Sequence, residues 1–218
     1  MVEVKYFNSR EEWLKARTSY IGGSDASCIM GENPWKSNAD LWREKIGIKA
    51  PDDLSNNELV NYGAAAEEFQ RELFKLDYPN YKVEYGENNM WLNTTFPFAH
   101  ASLDGWITDE NGRKGIFECK TATLQNAAQR KKWEADHFPE YYYWQVLHYL
   151  MVTEADFVIL RAQLKLNRPD EDMYAWIKHY RIEREAEEYN IYRLMCAERD
   201  FADHIMTKTE PPLKIRIP

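Results

Sequence analysis

Asp104, Glu118 and Lys120 fall within FAHASLDGWITDENGRKGIFECKT, two carboxylates and an amine spaced to act together. Two β-rich runs flank Glu110-Asn111-Gly112, which suits a three-residue hairpin loop with glycine in the left-handed position. Such a loop opposes Asp109 to Arg113, and the same register opposes Asp104 to Glu118. Opposed residues have Cβ atoms roughly 4.5–5.5 Å apart and point to one side of the sheet. Strand periodicity puts Lys120 on that side too. Facing carboxylates repel, so something must offset the cost. Lys120 with solvent is the plain compensation; a hard divalent cation, which prefers oxygen ligands, is the chemical one. Asp104, Glu118 and the backbone carbonyl of Cys119 offer three oxygens, and Glu67 a fourth. Lys120 would then orient a water or take its proton, the chemistry of in-line attack on a phosphodiester. A second ion could stabilise the leaving oxygen.

Glu67 needs a helix to reach that hairpin. From Glu58 to Leu76 the spacing is helical, with Tyr62, Ala66, Phe69, Leu73 and Leu76 at steps of three and four. Glu67 lies beside that stripe, on a line with Gly63, Gln70 and Phe74; Glu68 would replace it if the face were misread by one residue. Upstream, Ser9 to Ala16 reads as a capped helix with Glu12 three residues after Ser9. SYIGGSDASCIMGENPWKS is turn-rich, and Ala39 to Ile46 suits a second helix. Pro51 to Asn57 reads as a polar loop. Lys82 to Tyr85 and Met90 to Asn93 are strand-like. Asn126 to Glu134 reads as a polar helix carrying Arg130-Lys131-Lys132, a solvated face by default and a DNA-backbone contact as the alternative. Pro139 opens a helix through Met151. Phe157 to Leu166 and Met173 to Ile182 form an antiparallel pair around Asn167-Arg168-Pro169-Asp170. Glu183 to Met206 is a long terminal helix. The pattern predicts a mixed α/β fold, a central sheet flanked by helices, in one domain over 1–218.

Composition narrows the classes. The 218 residues carry 28 basic and 36 acidic side chains, net −8, which argues against a protein that coats nucleic acid non-specifically. It leaves room for an enzyme with a locally basic groove, since acids gathered at a cation inflate the negative count. No apolar run suits a membrane span and the N-terminus is not a signal peptide. Cys28, Cys119 and Cys196 form no CxxC pair and read as reduced thiols in a cytoplasm. His100, His137 and His148 lack metal-ligand spacing. The Tyr141-Tyr142-Tyr143-Trp144 run reads as packing.

Taken together, the residues resemble the PD-(D/E)xK nucleases, and more closely the YqaJ-type viral recombinase branch that includes the phage lambda exonuclease. Four segments carry the resemblance, in order: IGGSDASCIMGENPWKS, YGAAAEEFQRELF, HASLDGW followed by GIFECKT, and PEYYYWQVLHYLMVT. It extends from about Arg17 to near Ile182. The family resemblance implies a restriction-endonuclease-like core whose catalytic hairpin holds the metal through Glu67, Asp104 and Glu118, with Lys120 as the catalytic lysine. It also implies a 5′-phosphate pocket of Arg17, Ser24, Ser102 and Gln145. Arginine offers planar multidentate contacts and neutral donors complete the shell. Ser24 read locally is a helix N-cap, a role compatible with anion binding. One departure stands out: Leu103 occupies the place before the aspartate that is often proline.

The function so implied is a Mg²⁺- or Mn²⁺-dependent 5′-to-3′ exonuclease on double-stranded DNA ends, using two ions and releasing 5′-mononucleotides. The resemblance further implies a ring-shaped homotrimer around DNA, a phage or prophage setting in a bacterial cytoplasm, and a single-strand annealing partner. An endonuclease of the resolvase or repair type is the enzymatic rival. An iron–sulfur nuclease is disfavoured, because three scattered cysteines cannot supply four thiolates. A non-catalytic DNA-end-binding protein is the rival from another class.

Overall fold

A computed structural model describes residues 1–166 and 174–215. The elements run β1 (Val2–Tyr6), α1 (Arg10–Arg17), α2 (Gly23–Met30), α3 (Asn38–Lys45), α4 (Glu58–Asp77), β2 (Lys82–Glu84), β3 (Asn89–Asn93) and β4 (His100–Ala101). They continue with β5 (Gly105–Thr108), β6 (Lys114–Leu124), α5 (Ala127–Lys131), α6 (Glu140–Thr153), β7 (Phe157–Leu166), β8 (Tyr174–Glu183) and α7 (Arg184–Thr207). The expected turn at Asn167–Asp170 lies outside the described residues, as does Met173.

Two sheets form. One has the order β1-β3-β4, the other β2-β5-β6-β7-β8. In the larger sheet β6 and β7 run parallel and the remaining pairs antiparallel. It is the expected mixed sheet, with helices on both faces. On one face, α6 packs Val146, Leu147 and Leu150 against Ile116, Leu160, Ala162 and Leu164. On the other, α4 sets Phe74 on Phe117 and Ile159. The parallel β6–β7 pair requires a crossover, and α5 and α6 supply it.

The hairpin adopts the expected register: Gly105 pairs with Phe117 and Thr108 with Lys114. Gly112 has φ +78°, the left-handed residue the loop demands. Asp109 Oδ1 accepts from the amides of Asn111 and Arg113, pinning the turn.

Four local expectations need correction. The turn-rich stretch contains a helix, α2. Its Gly-Gly start lowers helix propensity, but Ala26, Cys28 and Ile29 are buried, so tertiary packing decides. The cap of α2 is Gly22, not Ser24; Asp25 Oδ2 accepts the Gly22 N–H at 2.9 Å. The polar helix after Asn126 is only five residues long, and Asn126 caps it. The α4 helix forms as expected, yet its apolar stripe faces solvent: Phe69 is 69% exposed and Leu76 78%. The face that packs inward carries Gln70, Arg71 and Phe74.

Candidate active site

Strand β6 delivers Glu118 and Lys120 to the face covered by α6. Glu118 is buried, and its Oε1 accepts from Lys120 Nζ at 2.6 Å and from Gln145 Nε2 at 3.1 Å. Its Oε2 is buried without a partner. Asp104 stands one residue before β5, where its Oδ2 accepts the Cys119 N–H at 2.8 Å. Regular pairing ends at Gly105, so a side chain, not a backbone carbonyl, completes the ladder. The expected opposition of Asp104 and Glu118 places the two carboxylates in one electrostatic neighbourhood. Burial, then the charge of Asp104, pushes Glu118 up to about 8. Burial likewise raises the Asp104 carboxyl.

Glu67 approaches from α4, half-buried, and its backbone carbonyl accepts from Cys119 Sγ of the hairpin at 4.0 Å. Burial and Asp104 raise it to about 7. Glu68, the alternative, is exposed. Among the described residues no group of three or more His, Cys, Asp or Glu is gathered closely enough to hold a metal ion. The geometry gives a reason: Glu118 Oε1 is spent on Lys120, and Asp104 Oδ2 on an amide. The chemistry of the donor set still suits a hard cation. All the groups are oxygens, Glu118 keeps a buried oxygen without a partner, and burial and mutual repulsion raise the acids despite Lys120, a cost that a bound cation would offset.

Lys120 is the counter-charge. Burial alone would lower its pKa, but Glu118 and the tyrosines Tyr149 and Tyr142 raise it, so it is an ammonium in this state. Its Nζ lies 4.8 Å from the centre of the Tyr142 ring.

The residues expected to bind phosphate gather beside this centre. Arg17 stacks on Trp13 at 4.2 Å and has no ion pair among the described residues; burial lowers its pKa, against the nearby carboxylates of Asp25 and Asp104. Gln145 Nε2 also donates to Tyr149 Oη at 2.7 Å. A Cβ on Gly23 would collide with Tyr149 and crowd Gln145. That glycine therefore lets the N-terminus of α2, with exposed Ser24 as its second residue, close onto α6. Ser102 Oγ is buried and unpartnered. His148, one turn after Gln145, bridges Glu198 Oε1 at 2.7 Å and the His100 carbonyl at 2.8 Å. It thereby ties α6 to the strand leading into Ser102.

Sequence reasoning missed three residues here. Arg71 donates to the Asp104 carbonyl at 2.7 Å and covers the Tyr85 ring; its one-turn spacing from Glu67 was the available signal. Tyr149 accepts from Gln145 and fills the space left by Gly23, between α6 and the start of α2. Asn89 grips Leu103 through both amide and carbonyl, each at 2.9 Å. The expected packing role of the Tyr141 run holds in part: Trp144 is buried while Tyr141, Tyr142 and Tyr143 are half-buried.

Comparison with known proteins bears on the family and the fold. The YqaJ-like viral recombinase domain matches residues 12–156. The chain is 37% identical over 144 residues to the uncharacterized protein YqaJ of Bacillus subtilis, an alignment covering 66% of this chain and 42% of that protein. It is 26% identical over 153 residues to the uncharacterized protein R354 of Acanthamoeba polyphaga mimivirus, covering 67% and 27% respectively. The chain thus matches less than half the length of either relative. Among solved structures, an alkaline exonuclease (LHK-Exo) from Laribacter hongkongensis superposes with a TM-score of 0.62 at 16% identity, covering 91% of this chain and 95% of that one. At that identity the likeness establishes a shared fold, which is the mixed α/β, restriction-endonuclease-like architecture expected above. With the family match spanning most of the residues from α1 to the start of β7, this chain belongs to the YqaJ-like viral recombinase domain family.

Proposed function

We propose that this chain is a divalent-metal-dependent exonuclease that degrades one strand of duplex DNA from its 5′-phosphorylated end. The observation that carries the reading is Glu118: a buried carboxylate beside a second one, balanced on one oxygen by Lys120 and Gln145 and orphaned on the other. A binding protein has no need of so costly an arrangement, whereas hydrolysis of a phosphodiester does.

Glu67, Asp104, Glu118 and the Cys119 carbonyl would hold Mg²⁺ or Mn²⁺, with room in the reading for two ions. When bound, the cation supplies Lewis-acid polarisation of the phosphate and activation of water. Lys120, released from Glu118, presents its ammonium to the attacking water or to a phosphate oxygen. Gln145 moves from Glu118 to the terminal phosphate, which Arg17, Ser24 and Ser102 enclose. The half-buried guanidinium suits that task because burial strengthens its field. Selection of a 5′-phosphate sets the 5′-to-3′ direction and releases 5′-mononucleotides.

The proposal extends to phage-type recombination alongside a single-strand annealing protein, in a bacterial cytoplasm carrying a phage or prophage; the viral recombinase family supports the recombination role. Among the described residues no helix is long and apolar enough to cross a membrane. A homotrimeric ring around the DNA is part of the same proposal. It is supported by the exposed apolar stripe of α4, which a second copy of the chain would cover.

The decisive assay is digestion of linear duplex labelled at its 5′ or 3′ ends, with and without EDTA, beside closed circular duplex. Metal-dependent release of the 5′ label with the circle intact is expected. Cleavage of the circle would favour an endonuclease, and binding without hydrolysis an end-binding protein.

A further inference from the structure

An unusually presented tryptophan lies a short distance from the lysine of the candidate site. Trp35 is 74% exposed, although it is among the side chains with most to gain from burial. It is not a loose side chain on a loose loop. Asn33 Oδ1 accepts from the amides of Trp35 and Lys36 at 2.9 and 3.0 Å, and Asn33 Nδ2 donates to Ser27 Oγ at 3.0 Å. Lys36 is anchored to Glu44 at 2.7 Å. The loop between α2 and α3 is therefore tied to both helices, and it holds the indole out.

Among the described residues the indole has one ring neighbour. It meets Tyr141 edge-on, with ring centres 4.8 Å apart; Tyr141 meets Tyr142 at 4.4 Å; and Lys120 Nζ lies 4.8 Å from the Tyr142 centre. An unbroken series of aromatic contacts thus leads from the candidate reaction centre to an exposed indole. In DNA, successive phosphates of one strand advance about 3.4 Å along the helix axis, so Trp35 lies within about two to four nucleotides of a phosphate held at Lys120. A flat apolar face at that distance, braced from behind and open in front, suits a base that has lost its partner strand, because every base has a π-face to stack.

We propose that Trp35, backed by Tyr141, stacks on one unpaired nucleobase of a DNA end held at the Lys120 site. The inference rests on the nuclease reading for its ligand class, and it assigns a binding subsite to a residue outside the metal and phosphate sets. The side chain acts on binding and end selectivity and takes no part in the bond-breaking step.

The test uses the full chain in EDTA, so that binding is read without hydrolysis. Two 5′-phosphorylated duplexes carry 2-aminopurine, one at the 5′-terminal nucleotide and the other at the first unpaired nucleotide of a 3′ overhang. Quenching of one probe on binding is expected, together with its loss in Trp35→Ala, about tenfold weaker affinity by anisotropy, and substantial recovery in Trp35→Phe. An abasic residue at the quenched position should weaken the parent protein by a similar factor and leave Trp35→Ala unchanged. Equal quenching by Trp35→Ala, or equal weakening of both proteins by the abasic residue, would overturn the proposal. So would a change of oligomeric mass in Trp35→Ala with DNA binding unaltered, which would assign the indole to a protein contact. Digestion with Mg²⁺ scores the nuclease reading separately: quenching that depends on Trp35 with no digestion would retain the stacking site and remove the nuclease.

Discussion

Asn89 holds Leu103 the way a neighbouring strand would: its Oδ1 accepts the Leu103 N–H and its Nδ2 donates to the Leu103 carbonyl, both at 2.9 Å. Asp104 is the next residue, and its own carbonyl is held by Arg71. Leucine in place of the frequent proline is therefore used here, because a proline has no N–H to give. Asn89→Ala leaves two buried backbone groups of Leu103 unsatisfied, at about 1–3 kcal/mol for each. The melting temperature should drop by several degrees and cleavage should weaken beyond what unfolding explains. Leu103→Pro should do less harm to folding than Asn89→Ala, since it orphans only one partner. Thermal melts and turnover on linear duplex check both, and an Asn89→Ala protein with parental Tm would refute the clamp.

The difference between what the sequence revealed and what it hid follows the range of the interactions. Gly112 and the short loop around it set the β5–β6 register locally, so Asp104, Glu118 and Lys120 could be placed before any coordinates. The β7–β8 alternation was equally local. The α2 helix was hidden because Gly22-Gly23 speaks for a turn, and only the fit of Gly23 against Tyr149 explains the glycine. Asn89 and Arg71 reach Leu103 and Asp104 across 14 and 33 residues, and no local pattern announces such contacts. Strand β1 pairs with β3 across five intervening elements, which left it equally silent. The stripe on α4 was legible as a helix but not as an exposed one, since periodicity gives a face and not what covers it.

The acids of the site also bear on stability. Burial and mutual repulsion raise Glu67 to about 7 and Glu118 to about 8, from an ordinary 4.5. Between these limits the folded protein binds protons that the unfolded chain has released, so stability falls as pH rises. Without divalent metal, Tm should decline from about pH 5 to about pH 8. Glu118→Gln should flatten that slope and raise Tm most at pH 8. Mg²⁺ or Mn²⁺ favours the ionised acids, so it should stabilise the parent protein more at pH 8 than at pH 6 and do little for Glu118→Gln. Metal stabilisation independent of pH, or unchanged by the substitution, would remove Glu118 from the metal set.

Arg17 is half-buried, stacked on Trp13, and not paired with a carboxylate among the described residues. A cation kept in that state is poised for an anion from outside. Arg17→Ala should slow digestion of 5′-phosphorylated ends roughly tenfold to a hundredfold, the range for a lost charge-assisted bond. Its effect on 5′-hydroxyl ends should be much smaller. Rates on matched substrates with the two end groups provide the measurement, and equal losses would deny the arginine a phosphate.

The outer face of α4 allows the ring to be tested without touching the site. Phe69, Leu73 and Leu76 are all at least half exposed, and a fully buried side chain of this kind contributes about 1.5–3 kcal/mol. Covering them in a second copy would supply much of the affinity of an interface. Phe69→Ser combined with Leu73→Ser should therefore convert a trimer to monomer by light scattering while leaving Tm within a few degrees, because both side chains are at least half exposed in the single chain. Digestion of short duplexes should persist in the monomer, and long duplexes should be released before completion, since nothing then encircles them. A parent protein that is monomeric at micromolar concentration, or a double variant that stays trimeric, would place the interface elsewhere and leave the exposed stripe without its proposed cover.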